Sequence, residues 1–268
     1  MKKKYPANLI FGMTLTGILV SLIVVGFIWT PHDPDSMQID FILNGPSGAH
    51  IFGTDQFGRD VFSRVLKGAG STLIAALGAI FIGGTIGIIL GGVTGYFGGW
   101  LDEVLMRVND ALATFPSILI ALVVISVLGT GTPQMIIALG IAFIPSYGRM
   151  VRGEFLRIRQ MDYITSAKLI KVNPFRIIFS HIMPNILPVL MSSLAIGFNN
   201  AVLAEAGMSY LGIGVQPPTP SLGRMISEGQ TYLASGPWCV IFPGLFLVLL
   251  ILGVSMLGEG ILEQSSES

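Results

Sequence analysis

Near-continuous apolar runs of about 20 residues, the length needed to cross a hydrocarbon core at about 1.5 Å per residue, recur along this chain. They cover Leu9 to Trp29, Ser71 to Phe97, Leu105 to Leu128, Pro133 to Met150, Ile186 to Leu203 and Trp238 to Leu257. The pattern predicts an all-α polytopic membrane protein with six transmembrane helices. Lys2, Lys3 and Lys4 precede the first run as they would in a signal peptide, but the run is long and no small-residue cleavage pattern follows, so it reads as a retained helix.

Composition agrees with a lipid-solvated chain. Of 268 residues, 52% are apolar and only 11% charged, the mean hydropathy is +0.76, and a soluble domain carries roughly a quarter charged residues. Lys and Arg are unevenly placed. With the N-terminus inside, the inner segments hold Lys2, Lys3, Lys4, Arg107, Arg149, Arg152, Arg157, Arg159, Lys168, Lys171 and Arg176. The outer segments hold only Arg59, Arg64, Lys67 and Arg224. The positive-inside rule then puts both termini and the 151–185 loop in the cytoplasm.

Within the second run Gly83, Gly87, Gly91 and Gly95 recur every four residues, placing hydrogen-sized side chains on one helix face. Two uses fit: close helix packing within one subunit, or a sliding contact along a path. Pro116, Pro145, Pro188 and Pro243 fall within or near the ends of spans, where each removes a backbone donor and favours a kink. Asp110, Glu205 and Glu259 lie near predicted helix ends, where an interfacial carboxylate needs no special partner.

Catalytic chemistry is missing. No phosphate-binding G-x-x-x-x-G-K-[ST] segment occurs, so nucleotide work falls to another chain. His32, His50 and His181 are far apart, with His181 expected on the opposite membrane side, and do not form one metal site. The lone Cys239 excludes an internal disulfide. No cofactor, no bound metal and no nucleic-acid partner are expected.

The segment 162–185, DYITSAKLIKVNPFRIIFSHIMPN, carries Lys168, Lys171 and Arg176 against Asp162. Asn173 before Pro174 reads as a helix start, with Asn capping free amides and Pro at the first helical position. Phe175, Ile178, Phe179 and Ile182 then follow i, i+3, i+4, i+7, opposite Arg176, Ser180 and His181, until Pro184 ends the helix. So short a helix is marginal alone in water. Its apolar stripe is expected to dock in a partner groove, on its own bundle or in the lipid interface.

That segment resembles the cytoplasmic EAA loop of binding-protein-dependent ABC importer permeases, down to its HIMPN close. Further stretches are similar to the dipeptide/oligopeptide/nickel branch, and to its second, C-type permease. These are HIFGTDQFGRDVFSR at 50–64, GYFGGWLDEVLMRVNDALATFPSILIAL at 95–122, EAGMSYLGIGVQPPTPSLGRMISEG at 205–229 and LGEGILE at 257–263. The resemblance implies a type I (MetI-like) importer permease, with a coupling-helix loop between helices 4 and 5. Its expected partners are a B-type permease, two ABC ATPase subunits and an extracytoplasmic substrate-binding protein. Expected substrates are peptides, nickel or metal complexes. The coupling contact would involve Ala167, Lys171, Asn173, Pro174, Phe175, Arg176, Ile178, Phe179, His181 and Pro184, with Phe175, Ile178 and Phe179 as anchors and Arg176 orienting them. The basic residues there serve topology equally well. The chain departs from the family pattern in reading Thr165, Ser166, Ala167 at the E-A-A position and Lys171 at the turn glycine. The turn is therefore expected to manage without a residue that takes positive φ easily.

On the outer side Gly53, Asp55, Gly58, Arg59 and Asp60 read as turn and cap chemistry, Asp60 capping a helix, with binding-protein docking as the alternative. The loop with Pro217, Pro218 and Pro220 is an equal docking candidate. The expected division is residues 1–70 as first helix plus outer loop, 71–263 as transport domain with its loop at 151–185, and 264–268 as a cytoplasmic tail. Rival readings are a stand-alone secondary transporter or channel, lacking here the expected inverted repeat, relay or filter, and a membrane scaffold.

Overall fold

A computed structural model describes residues 7–266. Lys2, Lys3, Lys4 and the end of the expected tail lie outside the described residues. Among these the chain is helical without strands: α1 (Ala7–Ile28), α2 (Val61–Phe97), α3 (Gly99–Ala113), α4 (Ser117–Leu128), α5 (Thr132–Arg159), α6 (Asp162–Leu169), α7 (Pro174–Ile177), a π turn (Ile178–Ile182), α8 (Met183–Tyr210), α9 (Leu222–Gly229) and α10 (Trp238–Ser266). Five helical spans are long and apolar enough to cross a membrane, and α3 with α4 makes a sixth, bent by 92°.

The span expected over 105–128, with Pro116 favouring a kink, is broken outright into two helices. Pro116 has no N–H to donate and disfavours helical geometry at Phe115, so the chain turns at 114–116. The remaining α4 of 12 residues reaches only about 18 Å and does not span a bilayer alone.

The second span begins earlier than its apolar run. Asp60 caps it, accepting from the Ser63 amide at 2.8 Å, and the polar turns bearing Arg64 and Lys67 are already helical. The division placed after residue 70 therefore falls inside α2. Hydropathy marks where lipid begins, whereas the cap marks where the helix does.

α2 and α5 run parallel with their backbones in near contact. A Cβ added at Gly83 would sit 2.7 Å from the Gly140 carbonyl oxygen, at Gly87 2.5 Å from the Tyr147 Cβ, and at Gly95 2.6 Å from the Phe155 Cβ, while at Gly91 it would collide with the Gly148 carbonyl. The glycine face is thus closed against α5 of the same chain. Ala75, Ala76 and Ala79 of α2 and Ala138, Leu139 and Ala142 of α5 continue the buried seam. α1 and α10 pack antiparallel through a second small-residue seam, where a Cβ at Gly12 would lie 2.6 Å from the Leu257 amide nitrogen.

Gly91→Leu is expected to cost on the order of 3 kcal/mol or more by overpacking a backbone contact. Thermal unfolding in detergent should show a clear drop in midpoint, whereas Gly17→Leu, at a position with nothing within 4 Å, should melt like the parent.

Candidate functional site

At the end of the bundle where α2 and α5 finish, α6, α7 and the π turn form a platform over a separate core of Tyr96, Phe155, Ile158, Ile164, Ile177, Ile182 and Ile186. α6 stops in a two-bond closure: the Val172 amide donates to the Ala167 carbonyl at 3.0 Å and the Lys171 amide to the Lys168 carbonyl at 2.9 Å. This arrangement needs a left-handed residue at the turn, and Lys171 supplies it at φ 57°. The turn is thus made, as expected, without a residue that takes positive φ easily: the lysine adopts the strained conformation because both closing bonds require it.

Asn173 caps α7, its Oδ1 accepting from the Phe175 amide at 2.9 Å, next to Pro174 at the first helical position. Beyond α7 two expectations are corrected. Pro184 does not end the helix, which continues as one span from Pro174 to Tyr210. The π turn, with the Met183 amide bonded back to the Ile178 carbonyl, widens the backbone just before Pro184, where a donor would otherwise be missed.

The same turn shifts the apolar register. Ile177 and Ile182, five apart, share the buried side at 0% exposure, Ile178 is half-buried, and Phe175 and Phe179 stand out at 68% and 64%. The stripe read at i, i+3, i+4, i+7 is thus split, with Ile182 belonging to the core. Two further apolar residues, missed in the sequence, join the exposed pair: Leu169 at 79% and Ile170 at 77%. The signal for them is their place beside the Lys171 turn, which directs Ala167 and Val172 to the core and leaves Leu169 and Ile170 outward.

Arg176 is exposed and His181 half-buried. The His181 carbonyl accepts from Asn185 Nδ2 at 2.6 Å, and its ring is 6.5 Å from that of Tyr163 on α6. Lys168 lies over the Tyr96 ring at 5.5 Å. Partial burial, and then the positive charge of Arg159, lower its pKa from the usual lysine range.

Between α4, α5 and α8 lies a cavity of about 600 Å³, lined on its polar side by Ser117, Ser146, Tyr147, Ser193 and Asn200. The Tyr147 hydroxyl is buried without a hydrogen-bond partner and sits where a Cβ on Gly197 would be, so α5 and α8 approach closely at this point. None of these lining residues is marked by the sequence, because single serines and one asparagine in apolar helices carry no spacing signal.

The opposite end carries residues 29–60 and 211–237, tied together by buried charge. Arg59 donates to Asp55 at 2.6 Å, both side chains 8% exposed, and reaches Glu228 at 3.3 Å. Arg64 lies 3.6 Å from Asp55, and Trp238 Nε1 donates to the Thr54 carbonyl at 2.9 Å. Gly53 and Gly58 both take φ 73°, and a side chain on Gly58 would collide with the Gln38 carbonyl. Pro217 and Pro218, by contrast, are exposed. Glu205 corrects another expectation: it is no interfacial carboxylate but fully buried at 0% exposure, accepting from Ser209 Oγ at 2.6 Å. The three histidines do not meet at one place: folding brings the His32 and His50 rings, 18 residues apart in sequence, to 4.6 Å beside Asp60, while His181 stays at the far end.

Residues 83–264 match the family model described as "Binding-protein-dependent transport system inner membrane component". The chain belongs to this family. The permease is 40% identical, over 82% of its own length and 72% of the relative's, to the dipeptide transport system permease protein DppC of Alkalihalophilus pseudofirmus. It is 39% identical, over 93% and 84%, to the glutathione transport system permease protein GsiD of Escherichia coli. Its fold matches a chain of the inward-facing MetNI methionine ABC transporter with a TM-score of 0.63 at 21% identity, covering 74% of this chain and 94% of that one. The permease is therefore a membrane-spanning transport subunit and not itself an enzyme.

Because a left-handed non-glycine residue costs about 1–2 kcal/mol, Lys171→Gly should stabilise the permease by about 0.5–1 kcal/mol after the glycine's own entropy is subtracted. A raised thermal midpoint in detergent, absent from Lys171→Ala, is the expected readout.

Proposed function

We propose that this permease lines one half of the path of an ATP-driven peptide importer, and that its platform is the grip of a separate ATPase subunit. The observation that carries this reading is the exposed set Leu169, Ile170, Phe175 and Phe179, held on a platform whose Ile164, Ile177 and Ile182 are already committed to a core. Covering four such side chains stabilises an interface by on the order of 1.5–3 kcal/mol each, less the costs of association. Asn173, Pro174 and the Lys171 turn hold the apolar set in place, and Arg176 offers an exposed charge beside it. Motion of a rigid platform continuous with α8 passes directly to the cavity wall, a rigid-body coupling.

The platform faces the cytoplasm on this reading, as do both termini, in keeping with the Lys and Arg of 151–185. A second, B-type permease closes the cavity between α4, α5 and α8 from the other side, two ATPase subunits lie below, and an extracytoplasmic binding protein docks above. The exposed Pro217 and Pro218 suit that docking better than Gly53, Asp55, Gly58, Arg59 and Asp60, which are occupied within the fold. Relatives named for dipeptide and glutathione transport favour short peptides over nickel as substrate.

Phe179→Asp, with Phe175→Asp as an independent repeat, should leave the permease in the membrane but weaken ATPase association by roughly 100-fold, or about 3 kcal/mol. Copurification and uptake assays check this, and full uptake at normal expression would refute the grip. Ser146→Trp, filling the cavity, should abolish uptake of a labelled dipeptide while ATPase copurification stays at the parent level. Unimpaired uptake in that variant would place the path elsewhere.

A further inference from the structure

We propose that His32, His50 and Asp60 form a binding site for one divalent transition-metal ion of the zinc class, at the end of the bundle opposite the platform. One ligand atom from each of the three lies within 4.8 Å of the others. His50 Nδ1 is 2.9 Å and His32 Nδ1 3.7 Å from the same oxygen, Asp60 Oδ1. In a tetrahedral zinc site with ligand bonds near 2.0–2.1 Å, donor atoms stand about 3.3 Å apart, so the two distances bracket the required edge and small side-chain adjustments meet it.

The carboxylate is already oriented for this role. Its Oδ2 is taken by the Ser63 amide at 2.8 Å and the Ser63 hydroxyl at 2.7 Å, which turns Oδ1 toward the two imidazoles. Such hydrogen bonds to a ligating carboxylate fix its direction and raise metal affinity. The neighbouring cations do not compete for it: Arg59 is engaged by Asp55 and Glu228, and Arg64 by Asp35 and Asp55, so among the described residues only the histidines pair with Asp60.

The imidazoles are held from their backbones. The His32 amide donates to Ser63 Oγ at 3.2 Å, and the His50 amide to Ser47 Oγ at 3.1 Å. His32 Nδ1 is buried yet has no hydrogen-bond partner, leaving a lone ring nitrogen directed at the carboxylate. The His32 side chain is nevertheless 36% exposed, which opens a route for the ion and a fourth position for water. The ion would cross-link the start of the 29–60 segment, its middle and the cap of α2, three points that share no sequence motif.

The test uses the full-length protein, purified in detergent through a tag without histidine, stripped with chelator and equilibrated with micromolar free zinc. Mass-spectrometric metal analysis should find one zinc per chain, and cobalt substitution should give the visible absorption of a tetrahedral site. Loss of one ligand in His32→Gln should weaken zinc binding at least 10-fold against a chromophoric chelator, and His50→Gln should do the same. Less than a tenth of an equivalent of zinc on the parent chain, or parent-like affinity in both variants, overturns the proposal. Should the variants fail to fold, the stoichiometry and cobalt spectrum of the parent decide it alone.

Discussion

The contact on which the rest of the structure depends is the backbone seam between α2 and α5. Gly83, Gly87, Gly91 and Gly95 leave no space for a side chain, so two long parallel helices lie nearly axis against axis. Parallel neighbours need an intervening span to return the chain, and here the bent pair α3 and α4 performs the return. Lipid gives no hydrophobic reward for helix association, so close van der Waals contact between small residues has to supply it.

The seam also sets the two functional ends. At one, the segment leading into α2, the start of α2 and the end of α9 bring Asp55, Arg59, Arg64 and Glu228 into a charge network whose first three members are buried. Removing one member of such a pair leaves an uncompensated buried charge and costs about 3–5 kcal/mol, so this end is built to stay rigid. At the other, the ends of α2 and α5 form the floor on which Ile164, Ile177 and Ile182 rest. What that floor carries outward includes the apolar Leu169, Ile170, Phe175 and Phe179, the surface on which the proposed ATPase contact rests.

Much of this was legible along the chain. Membrane class, span positions, the glycine face and the Asn173–Pro174 helix start all rest on local patterns, because hydropathy, four-residue spacing and capping act over a few residues. The family resemblance was legible for the same reason, carried by contiguous motifs. What was misread in the apolar stripe turned on one local irregularity. The π turn at Ile178–Ile182 shifts the buried face by a residue, and a helical wheel drawn at 3.6 residues per turn assigns Ile182 to the wrong side.

Sequence alone therefore determined that this chain is a bundle of membrane helices with a basic, partly apolar loop, since each of those features is paid for within its own segment. Tertiary structure alone decided which partner each face meets: that the glycines press on α5, that Glu205 is buried, and that His32, His50 and Asp60 converge. Those outcomes depend on distances between residues far apart in the chain, and no local periodicity encodes a distance set by how whole helices cross.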